Sequence, residues 1–203
     1  MTGVLVVYAT RNGSTREVAE AVAAALRDEQ VDVTVSPASA VKAPVDDHDL
    51  VVVGGAIYSG RWHHDAHRFL RRHRKELVTT PVAVFGMGPR ADEDEAWTRA
   101  RAQLDRGLGR HGWLAPVSVT VFGGVDPPRR ADRPRRDIRD WDSIHAWAVR
   151  LCRLPSAPRS DPGTTGVTTP PRSGHNCSSD CITAPYTDAV AGGWPSATNR
   201  CES

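Results

Sequence analysis

The chain has 203 residues, 39% of them hydrophobic, 4 cysteines and a formal charge of +2. That length supports one well-buried domain with some left over, and the near-neutral charge gives no general case for binding nucleic acid or a charged membrane. No apolar run approaches the ~20 residues of a membrane span, and Val4–Tyr8 is too short for a signal core, so the expected location is cytoplasmic.

The first strand is Val4–Tyr8, a continuous run dominated by β-branched residues. It leads into Thr10-Arg11-Asn12-Gly13-Ser14-Thr15 and a helix over Ser14–Arg27, whose Val18, Val22, Ala25 and Leu26 recur on one face. A helix start carries unpaired N–H groups and the positive end of the helix dipole, and so attracts an anion. Here hydroxyls from Thr10, Ser14 and Thr15, an amide from Asn12 and a glycine able to take positive φ surround that point. The turn suits a phosphate held without lysine. The plainer alternative is a capped helix start, with Ser14 or Asn12 as N-cap.

Val31–Val35 alternates apolar and polar residues, as an edge strand does. Leu50–Val53 is a third, fully apolar strand closed by Gly54-Gly55. A helix over His64–Leu77 turns Ala66, Phe69, Leu70 and Leu77 inward. Pro81–Phe85 is the fourth strand and ends at Gly86-Met87-Gly88-Pro89-Arg90. A helix over Glu93–Arg110 stops at His111-Gly112, and Val117–Phe122 is the fifth strand, ending at Gly123-Gly124. The last helix, Trp141–Leu154, carries Trp141, Ile144, Trp147 and Leu151 on one face. Apolar strands separated by helices imply an α/β fold with a doubly wound parallel five-stranded sheet. With the alternating strand at the edge, the order is 2-1-3-4-5, with a crevice outside the carboxyl ends of strands one and three. Residues 1–154 form this domain. Residues 155–203, rich in Pro, Gly, Ser and Thr and without a periodic apolar face, read as a disordered tail.

Two further turns open on the crevice. Ala56-Ile57-Tyr58-Ser59-Gly60-Arg61-Trp62 brings two aromatics, and Gly86–Arg90 is a flexible glycine loop on the same edge. A phosphate site flanked by these loops suits a ligand with a phosphate tail and a flat ring. The pattern is similar to the flavodoxin-like FMN-binding family. By that resemblance Thr10, Arg11, Asn12, Gly13, Ser14 and Thr15 hold the FMN phosphate. Ala56, Ile57, Tyr58, Ser59 and Gly60 flank the ring, with Tyr58 stacked on it, and Gly86, Met87, Gly88, Pro89 and Arg90 line its other side.

Ala56–His63, followed by a basic helix, and Asp140-Trp141-Asp142-Ser143-Ile144 at the last helix resemble the flavodoxin-type, menaquinone-dependent protoporphyrinogen oxidases. That resemblance implies oxidation of a tetrapyrrole through FMN to a quinone, with peripheral contact at the inner face of the membrane. Where that branch has a long insertion after the fifth strand, this chain has a short Arg/Pro segment. An electron carrier serving a protein redox partner is the alternative reading. Arg61 and Trp62, beside the crevice, are candidate substrate contacts.

Arg129, Arg130, Arg133, Arg135 and Arg136 read as a solvated basic loop, and Arg68, Arg71, Arg72, Arg74 and Lys75 as the wet face of their helix. His63 and His67 have helical i, i+4 spacing, but no Cys or carboxylate stands at ligand spacing, so no metal is expected. His175, Cys177, Cys181 and Cys201 lack a second closely spaced ligand pair. The acidic run Asp92–Glu95 supports a helix N-terminus. Gly-x-Gly-x-x-Gly and Gly-Lys-Ser/Thr are both absent, which argues against a dinucleotide dehydrogenase and a nucleotide triphosphatase. No nucleophile or triad is evident, so no catalytic protein residue is expected.

Overall fold

A computed structural model describes residues 3–126 and 136–154. The expected tail over 155–203, with its cysteines, and most of the Pro127–Arg136 segment lie outside the described residues.

The strands are β1 (Gly3–Ala9), β2 (Asp32–Pro37), β3 (Leu50–Tyr58), β4 (Arg61–Trp62), β5 (Val82–Met87) and β6 (Ser118–Phe122). The helices are α1 (Ser14–Asp28), α2 (His64–Arg72), α3 (Arg74–Leu77), α4 (Asp94–Leu108) and α5 (Trp141–Cys152), with a 3-10 turn at Gly109–His111. Five strands run parallel in the order β2-β1-β3-β5-β6. This is the expected 2-1-3-4-5 arrangement. The extra strand, β4, pairs antiparallel with the end of β3.

The central strands β1, β3 and β5 are apolar because each face of the sheet is covered there. Val4 and Val6 of β1 join one core, with Val18, Val22 and Leu26 of α1 and Ile144, Trp147 and Leu151 of α5. Leu5 and Val7 join the other, with Ala66, Phe69 and Leu70 of α2, Leu77 of α3 and Leu104 of α4. The period of two along a strand sends neighbours to opposite layers.

Three expectations need correction. The helix over 64–77 is two helices: His73, buried, ends α2 and turns its ring toward the Val41 carbonyl (3.4 Å). β3 runs through Gly54-Gly55 to Tyr58 instead of stopping at Val53. Trp141 is exposed rather than facing inward. It occupies the first position of α5, and the Arg139 guanidinium lies over its ring, 4.7 Å from the centroid.

Candidate functional site

Strand order reverses at β1 and β3, and a cleft opens beyond their carboxyl ends. Its first wall is the β1–α1 turn. Gly13 is the N-cap of α1, with φ of +92°, in the left-handed region where glycine is favoured. Its N–H donates to Thr10 Oγ1 at 3.0 Å, which fixes the turn. No side chain caps α1, so the capped start through Ser14 or Asn12 is not what forms. A helix without a cap presents its first N–H groups outward from the end. Thr15, in that first turn, is fully buried, and its Oγ1 has no hydrogen-bond partner. A buried hydroxyl left unpaired is costly, so a missing acceptor or donor is implied at this point.

The second wall is a hairpin. Ser59 (φ +48°) and Gly60 (φ +77°) join β3 to β4, the pair of positive φ values that a two-residue type I′ turn requires. Tyr58 sits at its rim, 46% exposed, and the Arg11 guanidinium lies 5.2 Å from its ring centroid. An exposed ring at a cleft rim is available for stacking.

The third wall is the β5 end. The Gly88 N–H donates to the Phe122 carbonyl (2.8 Å) and the Gly124 N–H to that of Pro89 (2.7 Å). These bonds strap the 87–90 loop to the chain leaving β6. Val125 then bridges to Asp137, and Arg139 holds both Asp137 and Glu17 of α1. The segment after β6 is thereby tied back to the helix that begins at the cleft. Those two carboxylates hold the Arg139 charge and raise its already high pKa.

Of the residues expected to form a binding site, the cleft is lined by Thr10, Arg11, Asn12, Ser14, Ala56, Ile57, Tyr58, Ser59, Met87, Gly88 and Arg90. Gly13, Thr15 and Pro89 are not among the lining residues. Gly60 faces the adjacent groove against α4, and Gly86 is buried against Ile57 and Leu104. Gly124 and Val125 also line the cleft and were not anticipated as site residues. The Gly123-Gly124 pair at the end of β6 was the available signal, since it lies on the same carboxyl edge.

A model of the flavodoxin domain matches residues 5–130. The chain belongs to the flavodoxin-domain family. Among curated proteins, this family member is 25% identical over 127 residues to the protoporphyrinogen IX dehydrogenase [quinone] of Escherichia coli K12, a match covering 62% of this chain and 70% of that one. Among solved structures it is similar to oxidised flavodoxin 1 of Bacillus cereus, with a TM-score of 0.55, 16% identity and coverage of 76% and 100% of the two chains. It is also similar to the Fusobacterium nucleatum flavodoxin bound to flavin mononucleotide, with a TM-score of 0.50, 12% identity and coverage of 75% and 98%. These two likenesses bear on the fold alone.

Several histidines are engaged within the fold. His63 Nδ1 accepts the Asp65 N–H at 3.2 Å and caps α2. His67, instead of pairing with His63, meets His111 across 2.8 Å in the interior. Burial first, then the neighbouring His111 ring and the Arg110 and Arg71 charges, push His67 down to about 4. His63, His64 and Asp65 lie close together, but His63 Nδ1 is already engaged and the site sits at the positive end of α2, which disfavours a cation. Trp62 is buried, set edge-on to His67 at 5.3 Å, and its Nε1 has no partner. Among the described residues, no helix is long and apolar enough to cross a membrane.

Proposed function

We propose that this flavodoxin-domain protein binds FMN in the cleft and acts as an oxidoreductase. The observation that carries the reading is the orphaned Thr15 hydroxyl at the uncapped start of α1. A phosphate there would accept from that hydroxyl and from the first helix N–H groups, with Thr10, Asn12 and Ser14 around it. Tyr58, exposed at the opposite rim, would stack on the ring, and Met87, Gly88 and Arg90 would border its other side.

FMN supplies the redox chemistry when bound, and the protein supplies binding, orientation and field. Arg11 and Arg90 both line the cleft, so its charge is positive near the ring wall. Positive charge beside a flavin favours its anionic reduced form, so these residues would raise the reduction potential. Arg90 is moderated by Asp126 at 3.6 Å.

The finer reading is dehydrogenation of protoporphyrinogen IX with a quinone as acceptor, the activity named for the Escherichia coli relative. Arg61 on β4 is the candidate substrate contact, and Trp62, buried beneath it, shapes the wall. The test has two parts. Purified protein titrated with FMN in a calorimeter should show saturable binding, and no heat would overturn the cofactor reading. The holoprotein should then oxidise protoporphyrinogen IX in the presence of a quinone. Failure there, together with rapid reduction by a flavodoxin reductase, would assign it to electron carriage for a protein partner.

A further inference from the structure

A second cavity of about 400 Å³ lies beside the cleft, between the β3–β4 hairpin and α4. Three guanidinium groups line it: Arg61 from the hairpin, Arg106 from the last turn of α4 and Arg110 from the 3-10 turn. No carboxylate lines it among the described residues. The contrast with the rest of α4 is informative. Arg99 meets Glu95 and Arg101 meets Asp105, each one helical turn away. Arg106 and Arg110 are also one turn apart, but they are like charges and have no acidic partner among the described residues. The negative end of α4 accounts for their tolerance there. It does not account for Arg61, which arrives from a different element and faces the same space.

The groove is preformed. Gly107 lets α4 approach the hairpin closely, since a side chain there would press on Trp62 Cβ at 3.1 Å. The Trp62 and His67 rings form a buried floor, and His67 is held by His111. Ser59 lines both this groove and the cleft, so the two are separated only by the hairpin turn. We infer that the groove is an anion subsite that takes the carboxylates of a small organic substrate whose ring lies beside the flavin at the mouth of the cleft. Guanidinium forks match the planar geometry of carboxylates, and a concave space with a buried floor fits a small molecule better than a flat acidic protein surface. The assignment of the substrate's ring rests on the flavin reading above. The groove's preference for a multivalent oxyanion does not.

The probe is benzene-1,3,5-tricarboxylate, a flat ring with three carboxylates, titrated by calorimetry into the full-length protein at low salt. Inorganic phosphate is titrated in parallel, and FMN is titrated into the same samples. Saturable binding of the tricarboxylate is expected, weakened about fivefold or more by Arg61→Gln and by Arg106→Gln, weakened less by Arg106→Lys, which keeps the charge and loses the fork, and unchanged by Arg99→Gln. Absence of saturable heat or equal weakening by Arg99→Gln would overturn the proposal, as would phosphate binding as tight as the tricarboxylate and weakened equally by Arg61→Gln and Arg106→Gln. If FMN does not bind but the variant pattern holds, the subsite stands and the flavin reading falls. If FMN binds normally and the pattern is absent, the subsite falls alone.

Discussion

Thr15→Val tests the phosphate site through two effects of opposite sign. Valine keeps the shape of threonine and has a similar helix propensity, so the fully buried position stays filled. What goes is a hydroxyl with no partner inside the protein. In the flavin-free protein that hydroxyl carries an unreturned desolvation cost of about 1–3 kcal/mol, so its removal should stabilise the fold by roughly 1 kcal/mol or more. With FMN present the same change deletes a charge-assisted hydrogen bond of about 1.5–3 kcal/mol, a loss of roughly 10- to 150-fold in affinity. Urea denaturation of flavin-free protein reads the first effect, and quenching of FMN fluorescence reads the second. Thr15→Ser, which keeps the hydroxyl, should bind FMN near the parental affinity. A variant that is less stable without FMN and binds it unchanged would mean that the hydroxyl's partner lies within the protein, and the phosphate would have to be placed elsewhere.

Other expectations follow from the same geometry. At Gly88 a methyl group would overlap Val121 Cγ1 and stand 3.1 Å from Ala100 Cβ, so Gly88→Ala should destabilise by about 1–3 kcal/mol, seen as a lowered urea midpoint. At Gly13 nothing lies within 4 Å, and only the left-handed backbone resists a side chain, so Gly13→Ala should cost about 1 kcal/mol in the same assay. Riboflavin, which has no phosphate to meet α1, should bind at least about 100-fold more weakly than FMN in a calorimeter, since two or more charge-assisted bonds are lost. The buried His67–His111 pair should make the fold acid-sensitive. His67 takes a proton near pH 6.5 when unfolded and only near about 4 when folded, so its contribution is intact above pH 6.5 and fades as the pH falls toward 4. At pH 5 the loss from His67 alone is roughly 2 kcal/mol, from ~1.4 per unit, and urea melts across pH 4–7 should show His67→Gln with a flatter profile than the parent.

Much of the fold was legible because the local signals agree with one another. The apolar runs at Val4–Tyr8 and Leu50–Val53 can exist only where both faces are covered, and two helical layers cover them. The failures have local causes. Gly54-Gly55 reads as a strand stop, but a side chain at Gly54 would overlap the Phe85 ring, and one at Gly55 would overlap the Trp62 indole. These glycines lie within β3 because rings from the two layers need the space. β4 is two residues long, too short to show an alternation, and its turn signal is only Ser59-Gly60. The split at His73 depends on the distant Val41 carbonyl, which sequence spacing does not reveal. At the cleft, the β1–α1 turn was readable from hydroxyls around a glycine. Gly123-Gly124 marks the same edge, but the place of Gly124 and Val125 in the lining is set by the bonds of Gly124 to Pro89 and of Val125 to Asp137, which spacing does not reveal.

The distribution of unsatisfied groups supports the same edge of the sheet as the functional one. Three buried side-chain atoms lack a hydrogen bond among the described residues: Thr15 Oγ1, Trp62 Nε1 and Glu76 Oε2. Two of these belong to the β1–α1 turn and the β3–β4 hairpin, the two walls that face each other across the cleft. Of the two non-glycine residues with positive φ among the described residues, Ser59 lies in that hairpin and Gln30 lies past the C-terminal end of α1. Side chains cap two other helices, His63 at α2 and Asp140 at α5 through Ser143, while α3 and α4 start, like α1, without a side-chain cap. Strain and unpaired polar groups cost stability wherever they occur, and they persist where a bound group or a function returns the cost. α4 is uncapped as well, so what sets α1 apart is the buried Thr15 hydroxyl stranded in its first turn, the group that the proposed phosphate would satisfy.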